Sequence, residues 1–108
     1  MVKTRKRHEE YQQYFTENDL LLVEFDHAGR SVSKFSVQYL ARIQGGWRPI
    51  ARYDTAHGFA HMDISHPDGT QETRELKSGS YREALSQAIG DLKAHWEFYR
   101  ERYERWTK

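Results

Sequence analysis

Phe35, Val37, Tyr39, Ala41 and Ile43 fall at alternate positions, with Lys34, Ser36, Gln38 and Arg42 between them. Successive side chains of a strand point to opposite faces, so this run reads as a strand with one buried and one polar face. Leu21, Val23 and Phe25 carry the same period upstream, and Phe59–His66 and Thr70–Leu76 give two shorter strands downstream. At Ser80 the period changes. Tyr81, Leu85, Ala88, Ile89, Leu92, Trp96, Tyr99, Tyr103 and Trp106 recur every three or four residues, the stripe of one long helix. Ser80 followed by Glu83 is a capping box that opens it. The fold class is therefore α+β: an antiparallel sheet of about five strands in a meander, with one long C-terminal helix packed on one face.

Turn chemistry sets the expected registers. A three-residue loop at Gln44–Gly46 pairs Ile43 with Trp47, Ala41 with Pro49, Tyr39 with Ala51 and Val37 with Tyr53, keeping Arg48, Arg52 and Asp54 off the core face. Asp68-Gly69 reads as a two-residue turn that sets Asp63 against Arg74 and Ser65 against Glu72. Residues 1–18 read as an N-terminal tail or short helix, since Tyr11, Tyr14 and Phe15 share helical spacing over one turn only; residues 19–108 form the single α+β domain. Glu97 with Arg100 and Glu101 with Arg105 are spaced as helix ion pairs. A helix reaching about residue 105 outruns the sheet. Its aromatic end (Tyr99, Tyr103, Trp106) needs cover from the N-terminal aromatics or a second subunit, so a homodimer is expected.

Composition removes several classes. The chain has 108 residues and no cysteine, which leaves one domain without disulfides, thiol catalysis or cysteine metal sites. Lys plus Arg (17) nearly balance Asp plus Glu (16), so no overall basic field draws the chain to nucleic acid; Lys3, Arg5, Lys6 and Arg7 form a local basic run. No apolar run approaches the roughly 20 residues of a membrane span, and the first residues are charged rather than apolar. A cytoplasmic protein with no membrane partner is expected.

The chemistry is concentrated in Arg52-Tyr53-Asp54-Thr55-Ala56-His57-Gly58-Phe59-Ala60-His61-Met62-Asp63. Strand parity places Arg52, Asp54, His61 and Asp63 on the sheet face away from the helix, with Arg74 joining through Asp63 and His57 at the rim. Three functions suit these residues. The first is cleavage of an RNA phosphodiester: His57 and His61 as acid and base with Asp63 orienting an imidazole, and Arg52, Asp54 and Arg74 binding substrate. The second is a metal site, from His57, His61 and Asp63 with Asp54 able to complete an N/O set; no ligand pair stands at a known zinc spacing, and no cofactor is expected. The third has no chemistry: ordinary cross-strand ion pairs, with the sheet face or the projecting helix docking a protein partner.

Trp47–Asp63 (W-R-P-I-A-R-Y-D-T-A-H-G-F-A-H-M-D), His66–Gly69 (H-P-D-G) and Asp91–Tyr103 (D-L-K-A-H-W-E-F-Y-R-E-R-Y) resemble a family of small uncharacterised bacterial and archaeal proteins. Its members share an R-Y-D-x-x-H-G-x-x-H segment, a D-G hairpin and an aromatic–arginine C-terminal helix. The chain is also distantly similar to the TumE-type toxins of toxin–antitoxin pairs, although Thr55 stands where those have Asn and the paired histidines are missing. That second resemblance implies an RNA-directed, toxin-like ribonuclease or RNA-binding activity and a protein partner such as an antitoxin.

Overall fold

The computed structural model of the protein describes residues 5–107. They form β1 (Lys6–Thr16), β2 (Asp19–Ala28), β3 (Ser31–Ile43), β4 (Gly46–Asp54), β5 (His61–Ser65), β6 (Gln71–Glu75) and α1 (Tyr81–Trp106). Each strand pairs with the next in one six-stranded antiparallel sheet, β1-β2-β3-β4-β5-β6. The α+β meander with its C-terminal helix is as the sequence implies, with one strand more.

The extra strand is a correction. Residues 6–16, expected as tail or short helix, form β1, in register with β2 from Lys6 opposite Ala28 to Tyr14 opposite Leu20. The helical spacing of Tyr11, Tyr14 and Phe15 spans one turn, too little to nucleate a helix, whereas a turn at Glu17-Asn18 offers a whole ladder along β2. An irregularity between Tyr14 and Thr16 turns Phe15 toward the helix, where its ring stacks on Trp96 at 5.3 Å. Residues 1–4 of the expected tail lie outside the described residues.

The β3–β4 register is right at one end and corrected at the other. Tyr39 opposes Ala51 and Val37 opposes Tyr53, as burial requires. At the tip, however, Ile43 faces Gly46, Arg42 faces Trp47 and Ala41 faces Arg48. Gln44 and Gly45 both have positive φ (53° and 78°), so they close a two-residue turn of the kind that matches strand twist. Carried through, that turn would set Arg52 against Val37 in the core. One unpaired residue, Ile50, shifts the register between the two halves. Pro49, which cannot donate to a ladder, sits beside that bulge.

The β5–β6 hairpin is also one residue from expectation: Ser65 faces Gln71, Asp63 faces Thr73 and Met62 faces Arg74. Only Gly69 of the expected Asp68-Gly69 turn has positive φ, at 90°. The Gly69 N–H donates to the His66 carbonyl at 3.0 Å, and the His66 N–H to Thr70 at 2.9 Å, closing a three-residue loop. The two-residue alternative would make Pro67 a closing residue, and Pro67 has no N–H to give.

The helix begins as its capping box predicts. Ser80 Oγ accepts from Glu83 N–H at 3.1 Å, while Glu83 Oε2 reaches back to the N–H of Gly79 at 2.9 Å. It packs mainly across β3 and β4. Ala84, Ala88 and Leu92 bury there against Leu21, Val23, Val37, Tyr39 and Ile50, each larger aliphatic contributing ~1.5–3 kcal/mol. Three devices pin its second half. Tyr53 and Tyr99 both donate to Asp91 Oδ2, at 2.7 and 2.6 Å. Arg100 bonds Asp19 at 2.7 Å and Glu104 at 2.8 Å, rather than the expected Glu97. Trp106 stacks on His66 with ring centroids 3.9 Å apart. The overhang thus finds much of its cover within the chain, and Phe98 remains exposed.

Candidate functional site

Arg52 and Asp54 stand directly opposite Asp63 and His61 on β4 and β5. Tyr53 and Met62, one step along, face the helix side, so all four polar residues share the back of the sheet. The Ile50 bulge makes this possible. Arg74 does not join them: opposite Met62, it belongs to the helix side, so its expected pairing with Asp63 is replaced by Thr73.

The back face is not open at this point, contrary to the expectation for these residues. Asp54 Oδ1 accepts from the N–H of Ala56 at 3.1 Å, and the N–H of Gly58 donates to Thr55 O at 3.1 Å, so the chain after β4 turns tightly. Gly58 has φ of 83°, a conformation that suits glycine. The turn brings the rings of His57 and Phe59 to 5.3 and 5.4 Å from that of His61. His61 is left only 1% exposed and Asp54 5%, whereas His57 is exposed.

The hydrogen bonds fix what His61 presents. Its Nδ1 lies 3.2 Å from the Phe59 carbonyl oxygen, which can only accept, so Nδ1 carries a hydrogen. In the neutral ring, Nε2 is then a bare lone pair, and it faces Asp54 Oδ1 at 2.9 Å and Asp63 Oδ2 at 3.4 Å. Three acceptors aimed at one another in a buried place require positive charge between them, from a proton or from a metal ion. The outer atoms are already engaged: Arg52 Nε donates to Asp54 Oδ2 at 2.7 Å and Thr73 Oγ1 to Asp63 Oδ1 at 2.7 Å.

Asp54, His61 and Asp63 offer ligand atoms that all lie within 4.8 Å of one another. At metal–ligand bonds of about 2.1 Å, two donors stand about 3.0 Å apart at a right angle and about 3.4 Å at the tetrahedral angle. The separations around Nε2 match those edges. Of the expected metal set, His61 and Asp63 are in place, Asp54 completes the three, and His57 falls outside this ligand group. Thr73 escaped the sequence reading because its place depends on the one-residue shift of the last hairpin. A groove of about 260 Å³, lined among others by His8, Asp26, Lys34, Arg52 and Asp54, opens beside the cluster.

A second group on the back face, His8, Glu10 and Glu24, is exposed throughout. His8 Nδ1 lies 2.5 Å from Asp26 Oδ1; that hydrogen bond and a second from His8 Nε2 to the Glu10 carboxylate raise the His8 pKa above its ordinary 6.5.

Fold and site together define a small α+β domain with a buried His/Asp cluster on the uncovered side of a six-stranded meander. The chain belongs to the family of a domain of unknown function, DUF7718, which it matches over residues 4–108. No curated protein and no solved structure matches it.

Proposed function

We propose that this protein binds a divalent metal ion of the transition series through Asp54 Oδ1, His61 Nε2 and Asp63 Oδ2. One observation carries the reading: a buried imidazole whose other nitrogen is committed to a backbone carbonyl directs its lone pair at two carboxylates at ion-coordination spacing. Metal-bound histidines characteristically give their second N–H to a carbonyl or carboxylate, and ligating carboxylates are themselves hydrogen-bonded. Phe59, Arg52 and Thr73 fill those roles. One nitrogen and two hard oxygens suit zinc, manganese or iron(II) better than calcium.

The test is metal uptake by chelator-stripped protein, with zinc and manganese titrated calorimetrically and bound metal counted by mass spectrometry. One ion per chain is expected, with none in His61→Ala or Asp63→Ala, and affinity should rise with pH because the ion competes with protons for its ligands. Uptake equal in wild type and both variants would sink the reading.

A second reading, RNA-directed activity, draws support from Arg52 and His57 beside the same cluster. Arg52 is about half exposed at 47% and His57 is exposed, so a phosphate contact and a proton carrier stand where a substrate can meet them. His61, sealed by the turn, would position rather than exchange protons with substrate. RNA cleavage by wild type but not by His57→Ala supports this reading, and no cleavage by wild type removes it.

A further inference from the structure

β1 is the anomaly of the fold. It is 11 residues long, yet all but Phe15 are exposed. Ordering a strand costs ~1–2 kcal/mol per residue, normally offset by burial and by ladders on its neighbours. β1 has a ladder on one side and almost no burial. The opposite edge, β6, is equally exposed but only five residues long, the short form in which a free edge is ordinarily left. A long edge with no proline and a regular register from Lys6 to Tyr14 presents a row of backbone donors and acceptors that pair with no other strand among the described residues. Both exposed tyrosines of the strand, Tyr11 at 44% and Tyr14 at 54%, lie on it.

We propose that this edge joins two copies of the chain, β1 against β1 and antiparallel, with the two-fold axis at Tyr11. The register follows from symmetry and charge. Outward-facing backbone groups recur at every second residue, so a two-fold ladder must be centred on a residue and not between two. Centring on Glu9 or Glu10 sets that glutamate against its own copy, a repulsive pair. Centring on His8 pairs only residues 6–10 of the strand, and centring on Gln12 leaves Lys6 and Arg7 beyond its end. Tyr11 is the midpoint of Lys6–Thr16, and centring on it pairs the regular stretch from His8 to Tyr14, short of the irregularity before Thr16.

In that register no charge meets its like. Glu10 lies opposite Gln12 of the partner subunit, Glu9 opposite Gln13 of the partner subunit, and His8 opposite Tyr14 of the partner subunit. Tyr11 meets its own copy, an aromatic cross-strand contact of the kind that stabilises sheets. The charges of β1 then act as register selectors, penalising every shift that sets the glutamates together. The six strands of each copy continue into one sheet, and both Asp54–His61–Asp63 clusters stay clear of the junction.

The chain has no cysteine, which makes the test direct. Residues opposite one another in an antiparallel pair have Cα atoms about 4.5–5.5 Å apart, within disulfide reach. Tyr11→Cys should convert to a covalent dimer under mild oxidation, whereas Tyr14→Cys, opposite His8 of the partner subunit, should not. Analytical ultracentrifugation of the wild type should give twice the chain mass at tens of micromolar, and circular dichroism should show both variants folded. A wild type of single-chain mass overturns the proposal. So does a dimer in which Tyr14→Cys cross-links as readily as Tyr11→Cys, or in which Tyr11→Cys fails to cross-link.

Discussion

Two buried polar clusters lie on opposite faces of this sheet. On the helix side, Asp19 is 3% exposed and receives hydrogen bonds from Thr16, from the Tyr39 hydroxyl at 2.6 Å and from Arg100 at 2.7 Å. Every partner donates, and one carries the compensating charge. Burial pushes the Asp19 carboxyl up, but the Thr16, Tyr39 and Arg100 hydrogen bonds and the Arg100 charge outweigh it and hold its pKa below the ordinary 3.8. On the back face, Asp54 and Asp63 converge on a nitrogen that in the neutral ring has nothing to donate. The first cluster is complete as it stands and ties the helix to β2. The second needs further positive charge beside Arg52, from a proton or, on the proposed reading, from a metal ion. That difference in what the acceptors still require, rather than burial or residue type, is what the proposed metal reading rests on.

Substitutions can break the contrast. The largest effect is expected at Arg100: Arg100→Leu leaves Asp19 buried without its counter-charge and should cost about 3 kcal/mol in urea unfolding. Metal affinity should stay near wild type in that variant, since the clusters share no residue. His61→Ala should do the reverse, weakening metal binding at least ~100-fold in calorimetry by removing the only nitrogen ligand. If Arg100→Leu abolishes metal uptake without unfolding the chain, the two clusters are coupled and the distinction fails. A smaller loss, about tenfold in affinity, is expected for Thr73→Val, which leaves the three ligands but frees Asp63 Oδ1.

Acid separates the faces further. Because the folded pKa of Asp19 is depressed, its contribution to stability is full above about pH 3.8 and is lost as pH falls through the folded value. Asp19→Asn should therefore be less stable than wild type at neutral pH, with the gap closing below pH 4. The smallest effect belongs to exposed His8, whose pKa is raised: its contribution is present below pH 6.5 and fades as pH climbs through the folded value. His8→Gln should change the neutral-pH melting temperature little.

Much of this molecule is legible from its residues. The alternation at Phe35–Ile43 and the stripe from Tyr81 to Trp106 locate the central strand and the helix, because strong periodicity over many residues leaves one arrangement that buries the apolar face. Parity puts Arg52, Asp54, His61 and Asp63 on one face, as found. The misses are local and share a cause. β1 is invisible because an exposed strand carries no alternation. Arg74 is misplaced because the turn at Pro67–Gly69 turned on the N–H that Pro67 lacks. The tip of β3–β4 is missed because burial and turn geometry demand different registers, and a bulge satisfies both. The sealing of His61 depends on how Thr55–Ala60 folds back, which no periodicity reports.

The unpaired Ile50 has a consequence for how this domain tolerates change. It works as a frame-shift within β4, separating the register of the hairpin tip from that of the end that carries Arg52 and Asp54. Residues Gln44–Pro49 can be exchanged or lengthened with the cluster undisturbed. Deleting the single residue Ile50 would close the bulge and leave both halves of the ladder in register, Leu40 still opposite Pro49 and Tyr39 still opposite Ala51, at the cost of a side chain that is only 1% exposed. Arg52 and Asp54 would keep their side of the sheet, and the loss would fall on the core that Ile50 fills.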